Sequence, residues 1–194
     1  MRKTTTDHLG TLFKIADAQM GLFTTKQAEK SGIVNNNHAY YVRNGNWKKV
    51  MRGIYRLTNY PLSENEALMI WFLWSRNRKD IPQGTFSHET ALMLYELSDI
   101  NPHNIHMIVP RGFKRLNPIP KVIKLHRNSL SKKETKSFWG MRITTPIRTL
   151  LDVAKKGSTS PEFISQAVNE ALKKGLVTRK DILKNPRLAR YMDK

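Results

Sequence analysis

The sequence predicts an α+β protein, with an N-terminal winged helix-turn-helix domain followed by a C-terminal mixed α/β domain. Three helical patterns and then a short β-hairpin occupy the first 57 residues, which is the element order of a winged helix. Further along the chain, short β-rich runs are mixed with helical patterns. Both ends are strongly basic and the middle is not. We therefore predict one domain over residues 1–60 and a second over residues 61–194.

The three N-terminal helices are predicted from apolar spacing and from capping residues. Apolar residues recur at helical intervals over residues 4–19. Thr24 and Gln27 then have the spacing of a capping box, in which each side chain accepts a hydrogen bond from an N–H group at the start of a helix. Asn35 or Asn36 is predicted to cap a third helix, which continues through residue 44.

Two strand-like runs on either side of Arg52-Gly53 predict the hairpin that would form the wing. In a winged helix, the third helix enters the major groove of DNA with its N-terminal residues leading. Asparagine can bond bidentately to adenine and arginine to guanine, so these residue types can recognise base edges. The predicted base-contacting residues, which lie near one helical face, are Asn36, Asn37, Tyr40 and Arg43. Ala39 and Val42 lie off that face and can turn inward.

Other polar residues of the first domain are typical of phosphate contacts. Hydroxyl groups, N–H groups and the helix dipole at a helix N-terminus all suit a phosphate. Lysine and arginine side chains in a wing would approach the same backbone. The alternative interpretation is a capped loop and a solvated basic face. The predicted phosphate contacts are Thr24, Thr25 and Lys26 at the second helix, and Lys48, Lys49 and Arg52 in the wing.

The predicted second domain begins with two helices, over residues 63–75 and 87–97, each opened by a serine. Three short β-rich runs follow, and the last leads into helices that begin at Thr-Pro and Ser-Pro pairs, because proline is favourable at the first helical position. The runs cover residues 105–109, 122–126 and 141–144, and the helices cover residues 147–156, 161–174 and a short segment after Thr178.

Charge indicates the class of partner. The 194 residues include 34 Lys and Arg against 15 Asp and Glu, a net charge of +19, which attracts polyanions through phosphate neutralisation. After residue 110, 21 basic residues stand against six acidic ones. Alternate residues of a strand point to opposite faces, so these cations need not share one surface. A second DNA contact, with solvated charge as the alternative, is predicted at Arg111, Lys114, Arg115, Lys121, Lys124 and Arg127.

Several classes of protein are excluded or disfavoured by composition. The chain has no cysteine, which excludes disulfides, cysteine-ligated zinc and iron–sulfur clusters. Its start has the pattern of an amphipathic helix and not of a signal peptide. The longest apolar run, residues 67–74, is too short for a bilayer, which needs about 20 residues. We predict a cytoplasmic protein with no membrane partner.

Residues with catalytic chemistry do not form a recognisable pattern. His103 and His106 are three residues apart, but Asp99 is the only acidic residue near them in the sequence. The carboxylate cluster of a metal-dependent nuclease and the glycine-rich loops that bind phosphate are missing. Ser87, His88 and Glu89 are adjacent in sequence, which does not indicate a triad, because triads are spatial. We predict no enzyme activity, no catalytic residue, no metal and no cofactor.

Four segments resemble the AbiEi-type antitoxins of abortive-infection toxin–antitoxin systems. They are GLFTTKQAEKSGI (residues 21–33), a segment with Gly45, Trp47, Val50 and RGIYRL (residues 52–57), SHETALMLYELSDINPHNIHMIVP (residues 87–110) and RITTPIRTLLDVA (residues 142–154). The resemblance covers roughly residues 8 to 155 and places no family motif after residue 154.

The resemblance implies an N-terminal winged helix that binds inverted repeats in its own promoter and so represses its own operon. It also implies that the later domain is an antitoxin domain, which opposes a cognate nucleotidyltransferase toxin with or without direct contact. The sequence therefore predicts a DNA-binding antitoxin with operator DNA and that toxin as partners. The alternatives are an RNA- or ribosome-binding basic module and, less favoured, a nucleic-acid-cleaving enzyme.

Overall fold

The computed structural model describes residues 7–157 and 159–192, and these form an α+β structure with two β-sheets. The chain divides into two compact units. The first comprises the residues up to Gln83 together with Trp139–Met141, and the second comprises Gly84–Phe138 and the residues from Arg142 onward. In this division, the predicted domain boundary at residue 60 falls within the first unit.

The first unit contains a three-stranded antiparallel sheet with the strand order β1-β3-β2. A turn of 3-10 helix, Asn35–Asn37, directly precedes its third α-helix. In chain order the elements are α1 (His8–Asp17), β1 (Leu22–Thr24), α2 (Thr25–Lys30), α3 (His38–Arg43), β2 (Trp47–Met51), β3 (Ile54–Leu57) and α4 (Glu66–Trp74).

Helix starts in this unit follow the predicted capping only in part. The capping box of α2 is confirmed, because Thr24 Oγ1 accepts from the Gln27 N–H group at 3.2 Å and Gln27 Oε1 accepts from the Thr24 N–H group at 2.8 Å. The predicted asparagine cap of α3 is wrong, since neither the 3-10 turn nor α3 has a side-chain cap. Instead α3 begins at His38, whose buried ring lies 5.2 Å from the Trp47 ring.

One face of the three-stranded sheet, here called the core face, carries Phe23, Trp47 and Tyr55. Phe23 contacts the Trp47 ring edge-on at 4.7 Å, and Tyr55 stacks on Phe23 at 5.9 Å. Helices α1, α2 and α3 cover this face and bury a single hydrophobic cluster with it. Apolar burial of this kind is the main favourable contribution to folding.

The opposite face, here called the α4 face, carries Leu22 and Arg56, which pair across β1 and β3. Arg56 is buried and its Nε donates to Glu66 of α4 at 3.0 Å. Because α4 packs on β1 and β3, it belongs to the first unit, although the sequence pattern placed it in the second domain. Its apolar residues cover most of its circumference, as expected for a helix that is largely enclosed.

Residues 139–141 also belong to the first unit, although they are separated in the chain from the rest of that unit by Gly84–Phe138. Gly140 has φ +75°, and a Cβ atom there would lie 2.8 Å from the carbonyl oxygen of Ala18 and 3.6 Å from Cε of Met69. Only glycine fits this approach without a shift of the backbone. The segment therefore packs directly against α4 and the end of α1.

The second unit contains a mixed five-stranded sheet of order β6-β5-β4-β8-β7, in which β5 pairs parallel with β6 and antiparallel with β4, while β4 pairs parallel with β8. In chain order the elements are β4 (Thr85–Phe86), α5 (His88–Leu94), β5 (Ile105–Val109), β6 (Ile123–Arg127), β7 (Thr135–Phe138), β8 (Met141–Thr144), α6 (Pro146–Lys156), α7 (Pro161–Lys173), α8 (Arg179–Leu183) and α9 (Pro186–Ala189).

The predicted strands over residues 105–109 and 141–144 are confirmed, and the middle one is shifted by a single residue. The register sets which side chains share a face of this sheet: His106, Ile108, Lys124 and His126 lie on one side, and Met107 lies on the other. Among the residues that the structure describes, no helix is long and apolar enough to cross a membrane.

Candidate nucleic-acid interface

Helix α3 and the 3-10 turn before it carry a run of exposed polar residues. All four predicted base-contacting residues are exposed there: Asn36 and Asn37 in the 3-10 turn, and Tyr40 and Arg43 in the helix. Ala39 is exposed as well, so the prediction that it turns inward is wrong. The inward positions belong instead to His38 and Val42, because His38 is buried and Val42 packs against the core cluster.

The hairpin places its two lysines on opposite sides of the sheet. Lys48 pairs with Arg56, so it lies on the α4 face, whereas Lys49 pairs with Tyr55 and lies on the core face, on the same side as α3. Both are exposed because β2 is an edge strand. Arg52 is exposed at the turn. The structure therefore brings Lys49, but not Lys48, to the side of the sheet that carries α3.

Thr24 does not lie on this surface. Its side chain is buried, and Oγ1 donates to the Asp80 carboxylate at 3.1 Å while accepting from the Gln27 N–H group. The Thr25 N–H group is also bonded, to the Gly53 carbonyl at 3.0 Å. The predicted phosphate site at the start of α2 is therefore largely occupied by internal hydrogen bonds, which is the physical reason to remove Thr24 from it.

Lys26 remains exposed, next to a basic loop that the sequence pattern missed. Its ammonium donates to the carbonyl of Arg78, and both Arg78 and Lys79 are exposed. The loop is held by Asn77, whose Oδ1 accepts from the Lys79 N–H group at 2.9 Å, and by Asp80, which accepts from Thr24. This proximity depends on contacts between residues more than 50 positions apart, such as that of Thr24 with Asp80, so no local sequence pattern could reveal it.

The charge around α3 and the hairpin is entirely positive in the sequence. No Asp or Glu occurs between Glu29 and Glu64, a stretch that contains six basic residues. Arg56 is one of them, but it is buried and paired with Glu66 at 3.0 Å. The remaining cations have no acidic neighbour along this stretch, so they produce a positive potential suited to a polyanion.

The six predicted cations of the second basic region are all exposed, but the structure does not gather them on one face. Lys124 lies on the same side of β6 as His126, whereas Arg127 lies on the other. Arg127 donates to the carbonyl of Phe113 at 2.6 Å and to that of Arg111 at 3.2 Å, so it holds the loop after β5. Lys114, Arg115 and Lys121 are exposed in the connection between β5 and β6.

Three histidines that the sequence pattern did not connect meet in the second unit. His88, His106 and His126 offer ring nitrogens that all lie within 4.8 Å of one another, close enough for the three residues to hold a metal ion. His103, which the sequence paired with His106, is exposed and lies outside this group. Each of the three comes from a different element, so no spacing motif could have revealed them.

Carboxylates beside this cluster are ion-paired. Arg148 lies between Glu134 and Asp152 and bonds both, the latter at 2.9 Å. Burial raises the pKa of Asp152, and the hydrogen bond from Arg148 opposes that rise. The Ser131 N–H group lowers the pKa of Glu134. With a guanidinium between them, these two carboxylates form a structural ion pair network and not a vacant pair of metal ligands.

No protein-family model and no curated protein matches this chain. Among solved structures, the crystal structure of the RV2827C protein from Mycobacterium tuberculosis is similar, with a TM-score of 0.52 and 13% sequence identity. The match covers 95% of this chain and 70% of the other. A likeness at this identity shows the fold alone.

Proposed function

We propose that the first unit is a winged helix-turn-helix and that the protein binds duplex DNA sequence-specifically through α3 and the β2–β3 hairpin. The observation that carries this proposal is the exposed polar surface of α3 and of the turn before it, with Asn36, Asn37 and Arg43. Lys49 flanks it on the same side of the sheet, and Arg52 is exposed at the hairpin turn. No acidic residue interrupts the chain that forms this surface.

The chemistry of this surface divides between base recognition and phosphate contact. Asn37 and Arg43 can bond bidentately to base edges in the major groove, where each such pair contributes about 1–3 kcal/mol of discrimination. Lys49, Arg52 and Lys26 carry no base preference, but they can neutralise phosphates and so fix the register of the protein on DNA. A base-contacting helix surrounded by phosphate-contacting cations is the arrangement that supports sequence-specific binding.

We expect Asn37→Ala and Arg43→Ala each to weaken binding to the cognate site by about 1–3 kcal/mol, or about 5- to 150-fold, because a base contact is lost. Non-specific binding should change less. The full chain would be titrated with duplex DNA from upstream of its own gene, scrambled duplex and structured RNA, at one salt concentration.

Arg179→Ala, at an exposed position of the second unit, is the matched control and should leave binding unchanged. Equal losses on cognate and scrambled duplexes would show that Asn37 and Arg43 contact only phosphate. Tighter binding to the RNA than to the cognate duplex would favour the RNA-binding alternative.

Lys48 and Lys49 provide a second test, because they are adjacent in sequence but lie on opposite faces of the sheet. Lys49→Ala should make the slope of log affinity against log salt shallower by about 0.9, since one phosphate contact is lost. Lys48→Ala should leave the slope unchanged. The same change for both variants would contradict the assignment of the DNA-facing side.

Operon repression and toxin antagonism extend this proposal, and the resemblance to AbiEi-type antitoxins supports them. The test combines a reporter behind the native promoter with co-expression of a neighbouring nucleotidyltransferase gene. We expect the full chain to repress the reporter and to restore growth. The Arg43→Ala variant should lose repression and keep the rescue. Failure of the unaltered chain to restore growth would overturn the antitoxin assignment.

A further inference from the structure

The histidine cluster of the second unit is built from three separate elements. His106 lies on β5 and His126 on the neighbouring parallel strand β6, where the register places both side chains on the same side of the sheet. His88 begins α5, directly after β4, and the Ser87 N–H group bonds to the His106 carbonyl at 3.1 Å. The sheet and this turn therefore hold the three rings together.

One distance in the cluster matches that between two ligands of a shared metal ion. Nε2 of His126 lies 3.3 Å from Nδ1 of His106. Two imidazole nitrogens on one tetrahedral zinc ion are about 3.4 Å apart, given a Zn–N distance of about 2.0–2.1 Å. The rings of His88 and His126 are stacked with centroids 3.7 Å apart, so binding one ion requires these two rings to rotate out of the stack until a nitrogen of each points at it.

The outer contacts also fit a metal site. Nε2 of His106 faces a Glu89 carboxylate oxygen at 3.5 Å, and the other oxygen of Glu89 accepts from Thr159 at 2.8 Å. Nδ1 of His88 contacts Ser87 Oγ at 2.9 Å. A ligating histidine usually has its second nitrogen bonded to a carboxylate or another polar group, which fixes the tautomer and the orientation of the ring.

The backbone at His88 has a strained conformation. Its φ is +52°, in the left-handed region that a non-glycine residue rarely occupies. Such conformations cost about 1–3 kcal/mol and are found where the surroundings enforce them, often at functional sites. The residue with this backbone conformation is also the one whose ring stacks on His126.

We propose that His88, His106 and His126 bind one divalent transition metal ion of the zinc class. The nitrogens assigned to the ion are Nδ1 of His106 and Nε2 of His88 and His126, because Glu89 and Ser87 contact the other nitrogens of the first two. Imidazole suits zinc, copper, iron and nickel, and three protein ligands leave a fourth position open.

A cavity of about 600 Å³ adjoins the cluster and gives the fourth position access to a small ligand. His88 and His126 line it together with Arg127, Arg148 and Arg187. Water or a small anion could reach the ion from this side, as at zinc sites with three protein ligands. The site is independent of the α3 and hairpin surface of the first unit.

The test is zinc binding by the full chain after treatment with a chelator, measured by calorimetry and by metal analysis after dialysis. We expect one equivalent of Zn²⁺. Cobalt(II) should bind at the same stoichiometry and give the absorption spectrum of a tetrahedral nitrogen-ligated ion. Zinc should also raise the temperature at which the second unit unfolds, because an ion that binds only the folded state stabilises it.

His126→Gln should lower zinc affinity by more than about tenfold, and Glu89→Gln by about 10- to 100-fold, because a lost outer partner has that effect on other metal sites. His103→Gln is the matched control, since His103 is exposed and outside the cluster, and it should bind like the unaltered chain. Circular dichroism would establish that each variant is folded.

Either of two results would overturn the proposal. One is the absence of stoichiometric zinc binding by the unaltered chain. The other is binding that a folded His126→Gln variant keeps in full, which would place the ion elsewhere. Neither result bears on DNA binding by the first unit, so this proposal and the proposed function can fail separately.

Discussion

Replacing Arg43, Lys49 and Arg52 together with glutamate should make the slope of log affinity against log salt shallower by about 1.8, because the two phosphate contacts of Lys49 and Arg52 are lost at about 0.9 each. These residues are exposed at α3 and on the hairpin, in a stretch of chain with no acidic residue. Cognate and random DNA should both be affected, since phosphate contacts position the protein on any sequence. The measurement is a salt titration of DNA binding by the full chain.

A second triple variant is the matched control. Arg111, Lys114 and Arg115 are also exposed, and their replacement by glutamate changes the net charge by the same amount. If only the first unit contacts DNA, this variant keeps the original slope. An equally shallow slope would show that the second basic region contacts phosphates as well. An unchanged slope for the α3 and hairpin variant would contradict the proposed interface.

Arg56→Ala should destabilise the first unit by about 3–5 kcal/mol, because removing one partner of a buried ion pair leaves the other charge unpaired. The side chains of Arg56 and Glu66 are 8% and 17% exposed and 3.0 Å apart. Arg56 also donates to three carbonyls at and just after the end of β3, those of Leu57, Thr58 and Tyr60. Its loss would therefore loosen both α4 and the end of the hairpin.

Urea unfolding followed by tryptophan fluorescence measures this loss specifically, because all four tryptophans, at positions 47, 71, 74 and 139, lie in the first unit. Lys48→Ala is the control: Lys48 is the cross-strand neighbour of Arg56 but is exposed, so its loss should cost less than about 0.5 kcal/mol. Similar unfolding midpoints for both variants would show that the Arg56–Glu66 pair contributes little.

Local sequence signals were sufficient to predict some of the elements. The capping box at Thr24 and Gln27 involves residues three apart, and the hairpin turn at Arg52-Gly53 uses a glycine with φ +76°. The strand over residues 105–109 is a short, mostly apolar run, and such runs are recognisable without knowledge of their partners. These features depend on neighbours in sequence, which is why sequence patterns predict them.

Other features depend on distant residues and could not be predicted in this way. Strand β1 has three residues and exists because it pairs with β3. The start of α3 is set by the burial of His38 against Trp47, which outweighs the capping preference of the asparagines before it. His88 meets His126 only because β6 pairs with β5 and the Ser87 backbone bonds to His106.

The return of residues 139–141 to the first unit has a consequence for synthesis on the ribosome. The 55 residues from Gly84 to Phe138 are made before the segment that contains Gly140 can be added. At about 5–20 residues per second this takes about 3–11 s, during which α4 lacks the chain that packs against Met69. In the nascent N-terminal unit, α4 therefore gains this packing partner only when about three-quarters of the chain has been translated, and its apolar surface can meet chaperones until then.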